Sequence, residues 1–311
     1  MWPIRRTFTS LIICVFLVGS VFVLLLRLKR HSPVPQFIKG AQRFRSSRVC
    51  ATLATILVNS APANAHRRQA IRETWGHIAV TRKLDIAVAF GIGEASDEIL
   101  QRPVDWEAET FGDIFQSLVT EEYRTLPLKV LSLLEKVKDA CDIPPFFIVK
   151  VDDDVFVNTY ALKDLLKSLE AEAYDMKIWC LVWEGMPVMR NNHSKWSVSR
   201  ERYPHDFYPK YCSGSAYVLN QRVLRGLLKH HSRDNLIPFE DVYITGVLAE
   251  KVGVEHVQIG TRYAFESVSE EGIASGQTIF AHLGPEADER VEHFWNFLSW
   301  KRKENLSFDG L

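Results

Sequence analysis

The sequence has no excess of charge of either sign. Its 38 lysine and arginine residues are balanced by 38 aspartate and glutamate residues, so the formal net charge at pH 7 is zero. Proteins that bind nucleic acids through the phosphates usually carry a surplus of basic side chains. The balance therefore argues against a nucleic-acid partner. With 311 residues, 47% of them hydrophobic, the chain is long enough for one large domain with a sizeable core.

Two common nucleotide-binding loops are also absent. The chain contains no Walker loop, and Gly91-Ile92-Gly93 lacks the third glycine of the dinucleotide-binding fingerprint. Internal repeats and low-complexity tracts are missing as well. The missing loops argue against a standard ATPase and against an NAD-dependent enzyme.

Acidic side chains are missing before Glu73, which makes the N-terminal segment purely basic. Within it, residues 8–26 carry no charge and are rich in leucine, valine, isoleucine and phenylalanine, which is typical of a transmembrane helix. A cleaved signal peptide is the alternative, but basic residues follow the apolar run and no small-x-small cleavage site is evident. We therefore predict a cytoplasmic tail at 1–7, a transmembrane signal anchor at 8–26, a stem at 27–48 and a lumenal domain at 49–311.

Cysteine is scarce, with five residues in the chain, and one of them, Cys14, lies in the apolar run. The remaining four are an even number, as a disulfide-forming compartment allows. They are Cys50, Cys141, Cys180 and Cys212. Glycosylation sequons begin at Asn192 and Asn305. Each signal is weak by itself, but together they favour a short cytoplasmic tail and a lumenal body.

Up to about residue 170 the chain alternates short apolar runs with helical periodicity, which predicts an α/β fold built of βαβ units around a mainly parallel sheet. The predicted strands of this half lie at 52–58, 85–90, 113–116 and 146–151. Beyond Lys177 the pattern loosens, with strands predicted at 178–183 and 216–219 and helices at 223–230, 240–251 and 291–300. Residues 184–210 are irregular and rich in aromatic side chains, which is typical of a segment that lines a binding site.

Three consecutive carboxylates, Asp152, Asp153 and Asp154, follow the predicted strand at 146–151. Acids at the mouth of a buried strand repel one another and lose hydration, and a hard divalent cation is the simplest partner for them. Open α/β sheets bind ligands at the carboxyl ends of their strands. The alternative is a solvated turn, with Asn158 or Thr159 capping the next helix. These residues alone leave both interpretations open.

Three further sites in the sequence, which together comprise five residues, each have a functional and a structural interpretation. Arg68 and Arg72 share one helix face, which suits a phosphate but is also common on a solvated face. Glu240 and Asp241 begin a predicted helix, where a carboxylate caps the helix or serves as a general base. His282 lies between apolar residues and is either packed in the core or a nitrogen ligand. Beside carboxylates, a nitrogen ligand suits Mn²⁺, with Mg²⁺ as the alternative.

Several sequence blocks occur together in a recognisable order. They are Arg68–Gly76, Gly112–Ile114, Tyr123–Lys129, Lys150–Asn158, Ser194–Trp196, Tyr208–Gly214, Glu240–Tyr243 and His282. In this order they resemble the Golgi β1,3-galactosyltransferase/β1,3-N-acetylglucosaminyltransferase family, which includes Brainiac-type enzymes and, more distantly, Fringe. The resemblance extends over about residues 50–300.

The resemblance implies a GT-A glycosyltransferase fold, a Rossmann-like sheet followed by an irregular acceptor-binding half. Asp241 would be the catalytic base, and Asp154, Asp152 and His282 would hold the metal ion. Residues that would contact the nucleotide sugar or the substrate are Arg68, Arg72, Asp113, Lys129, Asp152, Asp153, Trp196 and Glu240. A family-like disulfide would join Cys50 with Cys141, which leaves Cys180 and Cys212 for each other.

The implied function is an inverting, metal-dependent β1,3-hexosyltransferase in a single-pass type II Golgi membrane protein. It would move galactose or an N-acetylhexosamine from a UDP-sugar to the 3-hydroxyl of a glycan on a glycoprotein or glycolipid, with homo- or hetero-oligomers as further partners. One alternative is an inactive family member that serves as a lumenal partner or chaperone of another glycosyltransferase. A second is a metal-dependent nucleotidyltransferase or phosphohydrolase, which would release pyrophosphate or phosphate rather than UDP.

Overall fold

The computed structural model of the chain describes residues 49–308, apart from 192, 233–235 and 266. The predicted tail, membrane anchor and stem, together with the Asn192 sequon, lie outside these residues. Asn305 lies in the last helix, but its side chain is not among those described. Within the described part of the chain, no helix combines the length and apolarity that crossing a bilayer requires.

The described elements follow the predicted alternation. The strands are β1 Ala54–Asn59, β2 Ile86–Glu94, β3 Ile114–Thr120, β4 Phe147–Asp152, β5 Val155–Val157, β6 Lys177–Trp183, β7 Tyr211–Asn220, β8 Glu255–Gln258, β9 Tyr263–Ala264 and β10 Phe280–His282. The α-helices are α1 Ala65–Glu73, α2 Ile78–Thr81, α3 Glu98–Phe111, α4 Leu126–Asp139, α5 Thr159–Ser168, α6 Gln221–His230, α7 Ala249–Val252, α8 Glu270–Ala274 and α9 Ala287–Phe308. A π-helix, Val242–Leu248, leads into α7.

The large sheet has the strand order β3-β2-β1-β4-β7-β6-β8. Strands β3, β2, β1 and β4 are parallel, as are β6 and β8, whereas β7 is antiparallel to both of its neighbours. This confirms the α/β class and the mainly parallel sheet. Because the chain leaves β1 towards β2 and later returns on its other side as β4, the carboxyl ends of β1 and β4 flank a topological switch point. Asn59 and Asp152 are register partners there.

A second, three-stranded sheet has the order β5-β10-β9. β10 runs antiparallel to β5 and pairs His282 with Val155, the residue after Asp154. Strands of two or three residues give almost no periodic signal, so the sequence did not predict this sheet. Its consequence is that His282, far away in the chain, lies beside the aspartate triplet.

Both faces of the large sheet are buried. On one face the sheet packs against α1, α3, α5 and α9, and on the other against α4, α6 and the π-helix. In β1, Ile56 and Val58 belong to the first core and Leu57 to the second. A strand that is buried on both faces reads as a continuous apolar run, and this is why β1 was recognisable from its sequence.

Both cysteine pairings are confirmed. Disulfides join Cys50 to Cys141 and Cys180 to Cys212. The second one links β6 to β7, so the antiparallel strand in the middle of the sheet is covalently tied to its outer neighbour.

Strand β2 continues through Gly91 to Glu94, beyond its predicted end at Phe90. The glycine is needed because α4 lies very close to the sheet: a Cβ at position 91 would come within 2.5 Å of Leu133 Cδ1 and 3.2 Å of Leu57 Cδ1. Gly91→Ala is therefore expected to overpack the core and to cost about 1–3 kcal/mol of unfolding free energy. Chemical denaturation measures this loss.

Gly226 in α6 is the matched control for Gly91. A Cβ there would meet no atom closer than 3.7 Å, so Gly226→Ala is expected to stabilise the protein by up to about 1 kcal/mol through helix propensity. Equal shifts of the two denaturation midpoints would contradict the proposed overpacking at Gly91.

Candidate active site

The three aspartates at the end of β4 have three different environments. Asp152 stays close to the sheet, where its Oδ1 accepts hydrogen bonds from Asn59 Nδ2 (3.0 Å) and Lys150 Nζ (2.7 Å). Burial raises the pKa of Asp152, the positive charge of Lys150 lowers it, and the negative charge of Asp154 raises it again, with a net increase. Lys150 therefore favours the ionised form of Asp152 and offsets part of the effect of burial.

Asp153 is buried and faces the loop between β1 and α1. Its Oδ2 accepts hydrogen bonds from Ser60 Oγ (2.7 Å) and Asn64 Nδ2 (2.9 Å), and its Oδ1 accepts one from Arg67 Nη1 (2.9 Å). Both carboxylate oxygens are thus occupied by protein donors. These contacts favour a structural role for Asp153, and a direct contact with a nucleotide would require it to release one of them.

Asp154 faces His282, whose Nε2 lies 3.5 Å from Asp154 Oδ2. Burial by itself would raise the pKa of Asp154, but the hydrogen bond and charge of His282 and the charge of Arg67 lower it. The same hydrogen bond raises the pKa of His282. The other carboxylate oxygen, Asp154 Oδ1, is buried and has no hydrogen-bond partner among the described residues.

The predicted metal ligands are only partly assembled. Asp154 and His282 are in contact, whereas Asp152 directs Oδ1 to Lys150 and Asn59. Over the described ranges, no group of three histidine, cysteine or acidic residues is arranged to hold a metal ion. The metal site stays a prediction.

Arg68 is completely buried. It donates hydrogen bonds to both carboxylate oxygens of Glu107 (2.8 and 2.6 Å), to Ser60 Oγ and to the carbonyls of Ala61 and Pro62. These five bonds use every N–H of the guanidinium group. No donor of Arg68 is left for a phosphate in this arrangement, so its contacts indicate a structural role in place of the predicted one.

Arg72 forms a two-pronged pair with Asp113, with nitrogen–oxygen distances of 2.9 and 2.7 Å, and also contacts Glu107 at 2.7 Å. Its guanidinium carbon lies 4.5 and 4.1 Å from the ring centres of Phe90 and Phe111. Burial lowers the pKa of Arg72, but the two acids outweigh it and raise the pKa overall. The pair borders a cavity of about 220 Å³ that none of the three aspartates lines.

Lys129 is also buried. Its Nζ donates to Glu121 Oε1 (2.7 Å) and to the carbonyl of Ser60. Burial lowers the pKa of Lys129, and Glu121 counteracts this only in part. In the structure Lys129 thus joins the residue after β1 to the segment after β3.

The predicted base, Asp241, lies at the start of the π-helix, and its Oδ1 accepts a hydrogen bond from the backbone N–H of Val242 (2.8 Å). Burial raises the pKa of Asp241, and the charge of Asp152 adds to this. Lys150 and the Val242 bond counteract the shift only in part. An ionised Asp241 is consequently a stronger base than a carboxylate in water.

The helix predicted at 240–251 takes the π form over seven residues. Thr245 offers a physical reason, since its Oγ1 donates to the Asp241 carbonyl (2.6 Å) and accepts from the backbone N–H of Cys212 (2.8 Å). A side chain that hydrogen-bonds inside the backbone ladder widens or bends a helix. The start of the π-helix is thereby joined to β7.

Glu240 is buried beside Asp241. Its Oε1 accepts a hydrogen bond from the Tyr217 hydroxyl (2.6 Å), and its Oε2 lies 3.4 Å from Lys150 Nζ. Burial and the charge of Asp241 raise the pKa of Glu240 to about 7, although Lys150 lowers it. These partners are all protein groups, so in this structure Glu240 supports its neighbours rather than facing a substrate.

This raised pKa predicts a pH-dependent stability. Between about pH 4.5 and pH 7 the folded protein keeps a proton on Glu240 that the unfolded chain has released, so the stabilisation is complete below pH 4.5 and is lost as the pH rises through about 7. Glu240→Gln cannot ionise, so its melting temperature is expected to improve relative to wild type across this interval. Glu255→Gln, on the exposed edge strand, supplies the baseline. A pH-independent difference would contradict the assignment.

Trp196 lies in the irregular segment and is half exposed, as is Tyr123 from the turn after β3. Lys195 Nζ lies 4.7 Å from the Trp196 ring and 6.0 Å from the Tyr123 ring, so the two aromatic residues are neighbours. Burial raises the pKa of Tyr123, and the charge of Asp241 raises it further. Tyr123, the neighbour of Trp196, therefore lies within electrostatic reach of the predicted base.

Sequence reasoning assigned no role to Lys150, which contacts Asp152 and Glu240 at once. A signal was present: a lysine inside an otherwise apolar strand is costly to bury unless its charge is paired.

The cap of α5 is confirmed as Asn158, whose Oδ1 accepts a hydrogen bond from Ala161 N (3.2 Å). The segment after the aspartates thus caps a helix, as the solvated-turn interpretation expected. The aspartates themselves are partly buried, as the cation-site interpretation expected.

Comparison with known proteins adds independent information. A model of the family described as galactosyltransferase matches residues 66–260. The β-1,3-galactosyltransferase brn of Drosophila melanogaster is 31% identical over 243 residues, which are 78% of this chain and 73% of that protein.

Two vertebrate proteins match a shorter part. Lactosylceramide 1,3-N-acetyl-β-D-glucosaminyltransferase A of Xenopus laevis is 34% identical over 209 residues, 65% of this chain and 55% of its own length. β-1,3-Galactosyltransferase 1 of Mus musculus is 32% identical over 203 residues, with coverages of 65% and 61%. This chain thus spans less than two thirds of these two relatives.

Among solved structures, a glycosyltransferase involved in glycosylation of the major capsid of PBCV-1 aligns with 78% of this chain and 98% of its own, at 12% identity and a TM-score of 0.42. The galactosyltransferase LgtC, solved with donor and acceptor sugar analogues, aligns with 78% and 95% at 12% identity and a TM-score of 0.39. These likenesses are distant.

Proposed function

The chain belongs to the galactosyltransferase family, and from this premise we propose that it is an inverting β1,3-hexosyltransferase with a GT-A type fold. It moves galactose or an N-acetylhexosamine from a UDP-sugar to the 3-hydroxyl of a glycan on a glycoprotein or glycolipid. The observation that carries the proposal is the contact of Lys150 with both Asp152 and Glu240, because it joins the aspartate triplet to the residue directly before the predicted base, Asp241.

In the proposed reaction, the Asp241 carboxylate accepts the proton of the acceptor hydroxyl. The acceptor oxygen forms a bond to the anomeric carbon while the bond from that carbon to the UDP oxygen breaks. Attack from the face opposite UDP inverts the anomeric centre, through a transition state similar to an oxocarbenium ion. The raised pKa of Asp241 supports this role, since a base works best when its pKa approaches the operating pH.

The departing UDP carries negative charge, and the residues around Asp154 fit a divalent cation. Asp154 Oδ1 is buried without a hydrogen-bond partner among the described residues, and His282 adds a nitrogen donor beside it. Oxygen ligands with one imidazole suit Mn²⁺ or Mg²⁺. When bound, such an ion acts as a Lewis acid that neutralises the diphosphate. Asp154, His282 and Asp152 would hold it.

The half-exposed rings of Trp196 and Tyr123 are proposed to bind the acceptor sugar by stacking. They come from different segments but lie next to each other and near Asp241. An acceptor on these rings would present its hydroxyl towards the base. The irregular segment after β6 thus acts as the acceptor wall.

We further propose a Golgi enzyme with type II topology. The support is the uncharged run at residues 8–26, the two disulfides and the sequons at Asn192 and Asn305. Homo- or hetero-oligomers in the Golgi membrane are part of the same proposal.

The function is tested with the full chain in detergent, a panel of UDP-galactose, UDP-N-acetylglucosamine and UDP-N-acetylgalactosamine, and glycan acceptors. We expect UDP release that depends on an acceptor, and a β1,3-linked product by NMR. Release of pyrophosphate or phosphate would instead identify a nucleotidyltransferase or phosphohydrolase. UDP binding without turnover on any acceptor would identify an inactive partner protein.

Asp154→Asn tests the predicted cation ligand. Losing a carboxylate that helps a cation to neutralise the leaving diphosphate is expected to lower kcat by about 10²-fold, since the electrostatic contribution amounts to several kcal/mol. The Mn²⁺ concentration for half-maximal activity is expected to rise. A variant with wild-type activity in the presence of a chelator would exclude the metal role.

A further inference from the structure

Lys150 lies in the middle of the large sheet, in β4, and only 1% of its surface is exposed. On the neighbouring strand β7 its register partner is Tyr217, whose ring centre lies 5.8 Å from Lys150 Nζ. An ammonium group in such a place needs close acceptors, because the cost of burying an isolated charge is large.

Three acceptors surround the ammonium group. They are Asp152 Oδ1 at 2.7 Å, Glu240 Oε2 at 3.4 Å and the carbonyl oxygen of Gly214. The ammonium group donates hydrogen bonds to Asp152 Oδ1 and to the Gly214 carbonyl, and it forms a longer ion pair with Glu240 Oε2. The three acceptors belong to the end of β4, the segment that begins the π-helix, and β7. Lys150 therefore connects β4, β7 and the segment that begins the π-helix.

Gly214 links this centre to the predicted base. A Cβ on Gly214 would lie 3.3 Å from both Cβ and Oδ2 of Asp241, so the bare glycine backbone is packed against the Asp241 carboxylate. The carbonyl of the same glycine is the one that Lys150 holds. Lys150 thus fixes one side of the Asp241 site through Gly214, and it holds Glu240, the residue before Asp241, by an ion pair.

Glu240 is fixed from its other side as well. Its Oε1 accepts the hydrogen bond of the buried Tyr217 hydroxyl at 2.6 Å. Tyr217 and Gly214 are on the same strand, so β7 supplies contacts to both Glu240 and Lys150. With both oxygens bound, Glu240 cannot rotate without breaking a buried hydrogen bond.

We propose that Lys150, acting through Glu240 and Gly214, is a positioning residue that holds Asp241 in register with Asp152 for the sugar transfer. The inference rests on the proposed function and assigns to Lys150 no contact with a substrate. A buried ion pair can often be replaced by apolar groups without loss of stability, so fold stability by itself gives no reason for this arrangement. The need to align the base, Asp241, with Asp152 on the nucleotide side of the site gives such a reason.

The test uses the full-length protein with the variants Lys150→Met, Glu240→Gln and the double variant. Lys150→Met alone leaves Glu240 and Asp152 without their cation and is expected to lower the melting temperature. The double variant also removes the unpaired charge on Glu240, so its melting temperature is expected to lie between those of Lys150→Met and the wild type. Activity behaves differently: kcat is expected to fall about 10²-fold in Lys150→Met and to stay within about threefold of that value in the double variant.

The Kd for UDP separates positioning from general damage. In Glu240→Gln it is expected to stay within about threefold of wild type, because the partners of the Glu240 carboxylate are Tyr217 and Lys150. Lys150→Met also removes a hydrogen bond from Asp152, so its Kd for UDP is compared with that of the double variant, in which Asp152 is affected equally. Lys129→Met supplies a matched control, since Lys129 is equally buried and also paired with a glutamate, but it does not contact Glu240 or Gly214. Its kcat per folded molecule is expected to fall less than that of Lys150→Met.

Two results would overturn this inference without affecting the proposed function. The first is a double variant whose kcat recovers together with its melting temperature, since that is what a purely structural lysine does. The second is a folded Lys150→Met protein with kcat within threefold of wild type. A wild-type protein that transfers no sugar from any donor would instead overturn the proposed function, and this inference with it.

Discussion

Asp241→Asn is expected to lower kcat by about 10²–10⁴-fold, the usual contribution of a general base. The amide has nearly the same shape, and its oxygen can still accept the hydrogen bond that Val242 N–H donates to Oδ1. What it loses is the ability to take a proton from the acceptor hydroxyl. The Kd for UDP is expected to stay within about threefold of wild type. Initial rates at saturating donor and acceptor measure the effect.

Asp97→Asn is the matched control for this substitution. Asp97 also begins a helix, α3, where its side chain accepts from the backbone N–H groups of Ile99 and Leu100. Asparagine caps helices about as well as aspartate, so this variant is expected to keep the stability and activity of the wild type. If Asp241→Asn retained more than a tenth of the wild-type kcat, the base would have to be sought elsewhere.

Arg68→Met is expected to cost about 3–5 kcal/mol of unfolding free energy, the usual result of breaking a buried ion pair on one side. Glu107 would lose two hydrogen bonds, and Ser60 Oγ with the carbonyls of Ala61 and Pro62 would lose their donors. Urea unfolding monitored by circular dichroism gives the number. Arg102→Met, which breaks an exposed pair with Glu98, is expected to change stability by less than about 1 kcal/mol.

A contact between Arg68 and the nucleotide would give a different result. Arg68→Lys would then weaken UDP binding at least tenfold in a protein of nearly normal stability. The fully used guanidinium group predicts the reverse, a loss of stability with the Kd for UDP unchanged in the fraction that remains folded.

The parallel half of the fold could be predicted because its signals are local. β1 and β4 are mostly apolar and buried on both faces, and Pro127 lies in the first turn of α4, where a proline is favoured. The Cys50–Cys141 pairing came with the family resemblance rather than from any local pattern. The strands and the helix start thus follow from short stretches of sequence, whereas the disulfide pairing follows from the blocks that carry the family resemblance.

The remaining features depend on contacts between distant segments. Nothing near Tyr211 indicates that β7 inserts antiparallel between β4 and β6. In the same way, Arg68 has the spacing of a phosphate-binding arginine, but Glu107, a partner 39 positions away, makes it a buried structural residue. The contact between Asp154 and His282 was inferred from the family and depends on a three-residue strand, which periodicity does not reveal.

The division of labour within the aspartate triplet has an evolutionary consequence. Asp153 accepts hydrogen bonds from Ser60, Asn64 and Arg67, so a homologous chain with an apolar residue at this position would remove an acceptor from all three and leave Arg67 with its longer contacts to Asp154 and Asp288. Such chains should carry compensating changes in the loop after the first strand. Across an alignment, position 153 should therefore covary with positions 60, 64 and 67.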